Sequence, residues 1–387
     1  MTLAACSRSN SSFARGVTTS PLTLWSTLGS IDRALARWRR FNPDVNVRRQ
    51  IFDAPTLLYE LEQLPSRTRN IPDVIFADSY TMTRLHNLGL WRYVDTAAHR
   101  NSLVAAAISH ATFDDQRLVG LPLTCNPLQI WYQSNLLQDV LGIRDNIQVQ
   151  AAVGTSWESF ESFIRQIHRN NPVISTVASC VDDICYPLAI HAMQQQQSIL
   201  SAFNTGINLA QQHIIGRATH FGGVWFDLLK RNNVAIMVGG RSLGRSLTRT
   251  WSSDTRSPWQ TVPHPLGALY GPNIIAAIPL QASNYEQAAQ LIDNFVYDIE
   301  MQAIISNESG SVPALRSAYD HPELQKVDSI LPERTIRDAW SIQNADSVPM
   351  LLEQQIRQLQ QAQDAMYRWQ NGSITDNEVR VMLGKIG

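Results

Sequence analysis

Residues 71–78 read IPDVIFAD. Four consecutive positions, Val74 to Ala77, carry no polar side chain, and the run lies between Pro72-Asp73 and Asp78. A strand with one wet face alternates apolar and polar residues, whereas a strand apolar on both faces must be covered on both sides, as in a parallel sheet between helices. The preceding sequence supplies such a pattern. PLTLW (21–25) reads as a strand, and DRALARWRRF (32–41) as a helix with Leu35, Trp38 and Phe41 at helical spacing. NPDVNVRRQIF turns into a second strand, and Pro55–Leu64 is again helical. Strand, helix, strand, helix, strand predicts an α/β lobe.

A second alternation follows. QRLVGLPL and PLQIWYQ are short strands flanking Thr124-Cys125-Asn126. TSWESFESFIRQI is a helix with Trp157, Phe160, Phe163, Ile164 and Ile167 on one face and a capping box of Thr155 with Glu158. VISTVAS, VAIMVGG and IIAAIPL read as strands, and ICYPLAIHAM and FGGVWFDLLKRN as helices. SNYEQAAQLIDNFV opens with a second capping box, Ser283 with Glu286. From Pro349 the chain is helical to about Trp369, breaks at Gly372, and ends in a short helix.

The 387 residues suffice for two or three packed units. With 44% hydrophobic and 17% charged residues the chain is globular in composition, and a net charge of −1 gives no electrostatic footprint for nucleic acid. No stretch approaches 18 apolar residues, so any membrane attachment comes through the N-terminus. There Leu3-Ala4-Ala5-Cys6 has the shape of a lipoprotein processing site, with SRSNSSFARGVTTS behind it as a polar tether. The alternative is a chance pattern in an alanine-rich leader. Cys180 and Cys185, spaced C-x4-C, are either a small disulfide or two buried thiols.

Chemistry is most strongly suggested at 234–246, VAIMVGGRSLGRS. Gly240-Arg241-Ser242-Leu243-Gly244 matches G-x-S-x-G between a strand and a helix, and Asp293 and His321 follow in the order a serine hydrolase needs. No glycine-rich oxyanion segment precedes it. Gly239 to Ser246 also approximates a P-loop, with Arg245 at the lysine position. Both patterns share a strand that ends in glycines and opens a helix, a loop whose N–H groups hold oxygen-rich groups without chemistry. The nine histidines show no H-E-x-x-H and no paired C-x-x-C, so neither a metal nor a cofactor is expected. Asp114-Asp115 and Asp182-Asp183 read as solvated turns.

In order, these segments resemble the extracellular solute-binding proteins of family 1, from carbohydrate-type ABC importers, and more loosely the maltose- and glycerol-phosphate-binding members. The likeness runs from about Leu22 to Ile386 through LTLWSTLGS, FNPDVNV, IPDVIFAD, RLVGLPLTCNPLQIWYQSNLL, TSWESF, NNVAIMVGG, SGSVPALRSAY and NGSITDNEV. Gln133 departs from it, standing where the family has asparagine after a tyrosine. The resemblance implies the two-lobed type II periplasmic-binding-protein fold, α/β, with a ligand cleft between lobes and hinge crossovers near 124–127, 265–270 and 317–322. It implies residues 1–20 as tether, 21–124 with 268–318 as one lobe, and 125–267 with 319–387 as the other. Its ligand positions map to Trp25, Ser26, Asp53, Asp78, Ser79, Cys125, Asn126, Arg241, Ser242, Tyr270 and Gly271, with Arg357 as the substitute for a phosphate-holding arginine. The implied role is non-catalytic: a monomer, lipid-anchored at Cys6 on the outer face of the cytoplasmic membrane or in the periplasm, passing a sugar or a glycerophosphodiester to a permease.

Overall fold

A computed structural model of the chain describes residues 21–95, 101–112, 117–170, 176–231, 233–249, 258–325 and 352–386. Cys6, the tether, Asp114 and Asp115 lie outside the described residues, as does the stretch just after Pro349.

The first sheet holds five strands in the order β2-β1-β3-β12-β6. Here β1 is Leu22–Ser26, β2 Val47–Ile51, β3 Val74–Asp78, β6 Leu121–Pro122 and β12 Ile274–Ala277. β1 lies between and parallel to β2 and β3, while β12 runs antiparallel to both β3 and β6. Val74 to Ala77 are fully buried, as their lack of polar side chains requires. The helix Asp32–Phe41 covers one face through Ala34, Leu35 and Trp38. Each large side chain so buried stabilises the lobe by about 1.5–3 kcal/mol. Phe41 corrects the predicted stripe: it closes the helix 70% exposed, with the Arg37 guanidinium 5.3 Å from its ring. An antiparallel pair of β4 (Val94–Asp95) and β5 (Arg117–Leu118), with the short helix Ala105–Ser109 between them in sequence, flanks this lobe.

The second sheet has the order β11-β8-β10-β9, with β8 Gln129–Gln133, β9 Thr176–Ala178, β10 Val234–Gly239 and β11 Trp259–Pro263. β8 is antiparallel to β10 and β11, and β9 is parallel to β10. Its core takes Phe160, Phe163, Ile164 and Ile167 from the helix Trp157–Asn170. The same core takes Ile356, Leu359, Met366 and Trp369 from the long helix Glu353–Gln370. Gly372, at φ +78°, turns the chain from that helix into the last one, Asp376–Gly384. Among the described residues no helix is long and apolar enough to cross a membrane.

Both predicted capping boxes are corrected. At the helix Trp157–Asn170 the reciprocal bonds join Ser156 and Ser159: Ser159 N donates to Ser156 Oγ at 3.3 Å, and Ser156 N to Ser159 Oγ at 3.2 Å. A hydroxyl directly before the first helical residue wins over Thr155, one position too early. At the helix Tyr285–Tyr297 the cap residue is Asn284, and Ser283 is drawn instead to the buried Asp73, donating from Oγ to Oδ1 at 3.2 Å. Cys125, Cys180 and Cys185 are all free, buried thiols, which decides the C-x4-C question against a disulfide.

Candidate functional site

Strand direction fixes where a ligand can enter. In the first sheet Ile274, which opens β12, stands opposite Asp78, which closes β3, and Pro122 closes β6 opposite Ile275. The carboxyl ends of β1, β2 and β3 therefore lie at the edge where the chain leaves and re-enters this lobe. In the second sheet Gln129, which opens β8, pairs with Gly239 at the end of β10 and Pro263 at the end of β11. The two sheets thus point the carboxyl ends of their parallel strands toward the same crossing segments, and such ends are where open α/β sheets bind ligands.

Those segments form a narrow ladder. Leu128 N donates to Leu269 O at 2.8 Å and Gly271 N to Asn126 O at 2.9 Å. The Asn126 backbone N–H donates to Asn273 Oδ1 at 2.8 Å. A third segment, β13 (Val312–Pro313), pairs antiparallel with β7 (Thr124–Cys125). The second crossing bonds through Leu269, Gly271 and Asn273, at and just beyond the end of the expected 265–270. Ala318 and Leu324 pack in a core that draws on both sheets, with Phe76 of β3 and Trp131 of β8 among its members.

The positions carried by the resemblance fall at these strand ends and crossings. Asn126 lies where Gly240 and Gly271 meet: a Cβ on Gly240 would come 1.8 Å from Asn126 Oδ1, and one on Gly271 2.6 Å from its Nδ2. Tyr270 is buried and edge-on to His110, 6.3 Å between centroids. Burial pushes the Cys125 thiol up to about 12, so it is neutral near pH 7. Several others are engaged locally. Ser26 Oγ accepts from Leu28 N at 2.9 Å. Asp53 caps the helix Ala54–Glu62 by accepting from Thr56 N at 2.7 Å. Asp78 caps the helix Ser79–Arg84, accepting from the Tyr80 and Thr81 amides and from Thr81 Oγ1 at 2.6 Å. Asn273 N donates to Ser79 Oγ, tying β3 to the crossing. Trp25 is buried between Phe52, 5.2 Å away, and the Arg67 guanidinium, 5.8 Å from its ring.

Arg241 has a different setting from a loop cation open to solvent. It is 3% exposed and donates from Nη1 to Ser306 O at 2.8 Å and to Ser311 O at 3.3 Å. Arg245 donates beside it to Asn307 O at 2.8 Å. Two guanidinium groups from the helix Arg241–Arg249 thereby satisfy carbonyls at the C-terminus of Ile299–Ser309, the negative end of that helix dipole. Arg357 pairs with Glu353 on its own helix at 2.5 Å.

Ser242 is exposed in the first turn of its helix. It is absent from the non-glycine residues with positive φ, so the strained turn of a nucleophile elbow is missing. Among the described residues no histidine or carboxylate is hydrogen-bonded to its hydroxyl. His321 accepts at Nδ1 from Glu323 N, and Asp293 lines a small cavity beside Arg92 and Tyr93.

The fold also assembles groups that spacing did not single out. Tyr80, after β3, and Tyr186, in the helix Asp182–Gln194, meet at 3.1 Å between hydroxyl oxygens and join the two lobes. Beyond β9, Cys180 Sγ lies 3.0 Å from His220 Nε2, which lies 3.1 Å from Asp183 Oδ1. Burial opposes the charge on Asp183, but the His220 charge and hydrogen bond hold its carboxyl below the ordinary value. Burial likewise opposes the imidazolium, and Asp183 nonetheless carries His220 above its ordinary value. Burial, then the Asp183 and Asp182 charges, push the Cys180 thiol well up. Next to them Phe221 is 55% exposed at φ +65°, a left-handed conformation unusual for a bulky residue. A groove of about 650 Å³ is lined by Arg84, at the end of the helix that follows β3, and by Arg357, Gln360 and Lys385; of the predicted ligand residues it holds only Arg357.

No sequence-family model matches the chain, and no curated protein matches it in sequence. Solved structures match it in fold. An extracellular solute-binding protein of family 1 superposes with a TM-score of 0.74 at 13% identity, over 94% of this chain and 98% of that one. The galacto-N-biose-/lacto-N-biose I-binding protein of an ABC transporter from Bifidobacterium longum, solved with lacto-N-biose, gives 0.72 at 13%, over 95% of each chain. The sugar-binding protein MalE from Xanthomonas citri gives 0.68 at 16%, over 95% and 98%. The two-lobed α/β fold is therefore that of the periplasmic binding proteins.

Proposed function

We propose that this chain is the substrate-binding component of an ABC importer, and that it is not an enzyme. It captures a small polyhydroxylated solute between residues 21–124 with 268–318 and residues 125–267 with 319–387, closes on it by bending at the crossings, and presents it to a permease. The observation that carries the reading is the opposition of strand carboxyl ends across the ladder at 124–128 and 269–273. The likeness in fold to proteins solved with lacto-N-biose and other sugars supports a saccharide. A glycerophosphodiester is the second ligand class, disfavoured because Arg241 and Arg357 are already bonded within the protein. Asn126 and the loop after β10 supply hydrogen bonds to the solute. The chain acts as a monomer in the periplasm or on the outer face of the cytoplasmic membrane, held there by lipid on Cys6.

Thermal unfolding against a panel of di- and oligosaccharides, polyols and glycerophosphodiesters tests this. A solute at a hundredfold excess over its Kd stabilises the folded chain by about 2.7 kcal/mol, a rise of several degrees in Tm. Ser242→Ala shows the same ester turnover as wild type, namely background. A panel with no stabilising solute, or ester turnover abolished in Ser242→Ala, would overturn the reading.

A further inference from the structure

We propose that Cys180, Asp183 and His220 form a binding site for one zinc ion. Their ligand atoms all lie within 4.8 Å of one another. The separations are 3.0 Å from Sγ to Nε2, 3.1 Å from Nε2 to Asp183 Oδ1, and 3.3 Å from Sγ to Asp183 Oδ2. Ligands at ordinary zinc distances on a tetrahedron stand about 3.3–3.6 Å apart, so sulfur and nitrogen need to part by about half an ångström, and one of the two Asp183 oxygens, Oδ1 beside Nε2 or Oδ2 beside Sγ, serves as the third ligand. One sulfur, one imidazole nitrogen and one carboxylate oxygen suit zinc and exclude calcium and magnesium, which take oxygen ligands.

Charge and support agree with that choice. A thiolate and a carboxylate together neutralise a divalent ion in a buried setting, and both the thiol proton of Cys180 and the proton on His220 Nε2 leave those atoms for solvent when the metal binds. Asp183 is held independently of the other two ligands: Val238 N donates to Oδ1 at 2.9 Å, and Ser179 Oγ and Cys180 N donate to Oδ2 at 2.9 and 3.1 Å. Those three bonds persist when the metal replaces the contacts from Sγ and Nε2, and they serve as the outer shell that orients a ligating carboxylate. The His220 ring is steadied by Trp225 at 5.9 Å. Its side chain, 22% exposed, is the one ligand of the three that reaches solvent, and a fourth ligand such as water completes the tetrahedron.

The proposal stands apart from the solute reading. Full-length protein stripped with chelator and dialysed against Zn²⁺ takes up one ion per chain. His220→Gln, altered at the partly exposed ligand, and Cys180→Ser each weaken uptake at least about tenfold, while Cys185→Ser, at a thiol outside the cluster, takes up zinc as wild type. Co²⁺ in place of Zn²⁺ gives a thiolate charge-transfer absorption that is absent in Cys180→Ser. No uptake by wild type, or unchanged uptake in His220→Gln, would overturn the site. Zinc uptake by a chain that binds no saccharide would leave this site standing while the transport reading fell.

Discussion

Asp73→Ala is expected to lower the unfolding free energy by about 3–5 kcal/mol. The carboxylate is 1% exposed, ahead of β3, and accepts five hydrogen bonds. Two come from Thr23, from N at 2.8 Å and from Oγ1 at 2.9 Å, which fixes the start of β1. Three come from Ser283 Oγ, Asn284 N and Asn284 Nδ2, which fixes the start of the helix Tyr285–Tyr297. Alanine leaves the two Asn284 donors buried without this acceptor, at a cost of about 1–3 kcal/mol each before relaxation, and takes an acceptor from half-buried Thr23 and exposed Ser283 as well. Asp73→Asn keeps one acceptor oxygen and loses less. Urea unfolding followed by tryptophan fluorescence measures both, and an Asp73→Ala midpoint equal to wild type would contradict the account of how this lobe is tied together.

Gly240→Val is expected to leave both lobes folded and to weaken solute binding at least tenfold, about 1.4 kcal/mol. The added Cβ stands 1.8 Å from Asn126 Oδ1 and 3.0 Å from its Cγ. An asparagine amide normally swings aside, but Gly271 packs against the other side of this one, and the Asn126 backbone bonds to both Asn273 and Gly271. The side chain must leave its slot, and with it goes the register of the crossing on which closure depends. Gly29→Ala is the control, since a Cβ there meets nothing within 4 Å. Titration calorimetry with a solute found in the thermal panel reads the effect, and affinity unchanged in Gly240→Val would remove Asn126 from the site.

Much of the fold is legible in the sequence because it rests on local, periodic signals. The apolar run at 74–77 requires a doubly covered strand, and the stripe of Phe160, Phe163, Ile164 and Ile167 requires a helix against a core. The segments that follow the strands are legible too. The behaviour of single side chains within them is less so. Asp53 and Asp78 each precede a helix and cap it, a local use that competes with any ligand. Arg241 reads as a cation on a glycine loop, yet its partners are carbonyls 65 and 70 residues away. His220 and Asp183 are 37 residues apart, Tyr80 and Tyr186 106, and no spacing rule reaches across such distances. Only folding brings them together.

Small-angle X-ray scattering with and without a solute from the panel tests closure most directly. The account predicts a smaller radius of gyration at saturation, with half the change reached at the Kd measured by calorimetry, and a smaller change in Gly240→Val at the same concentration. A saturated protein whose radius of gyration matched that of the free chain would contradict capture by movement of the two lobes.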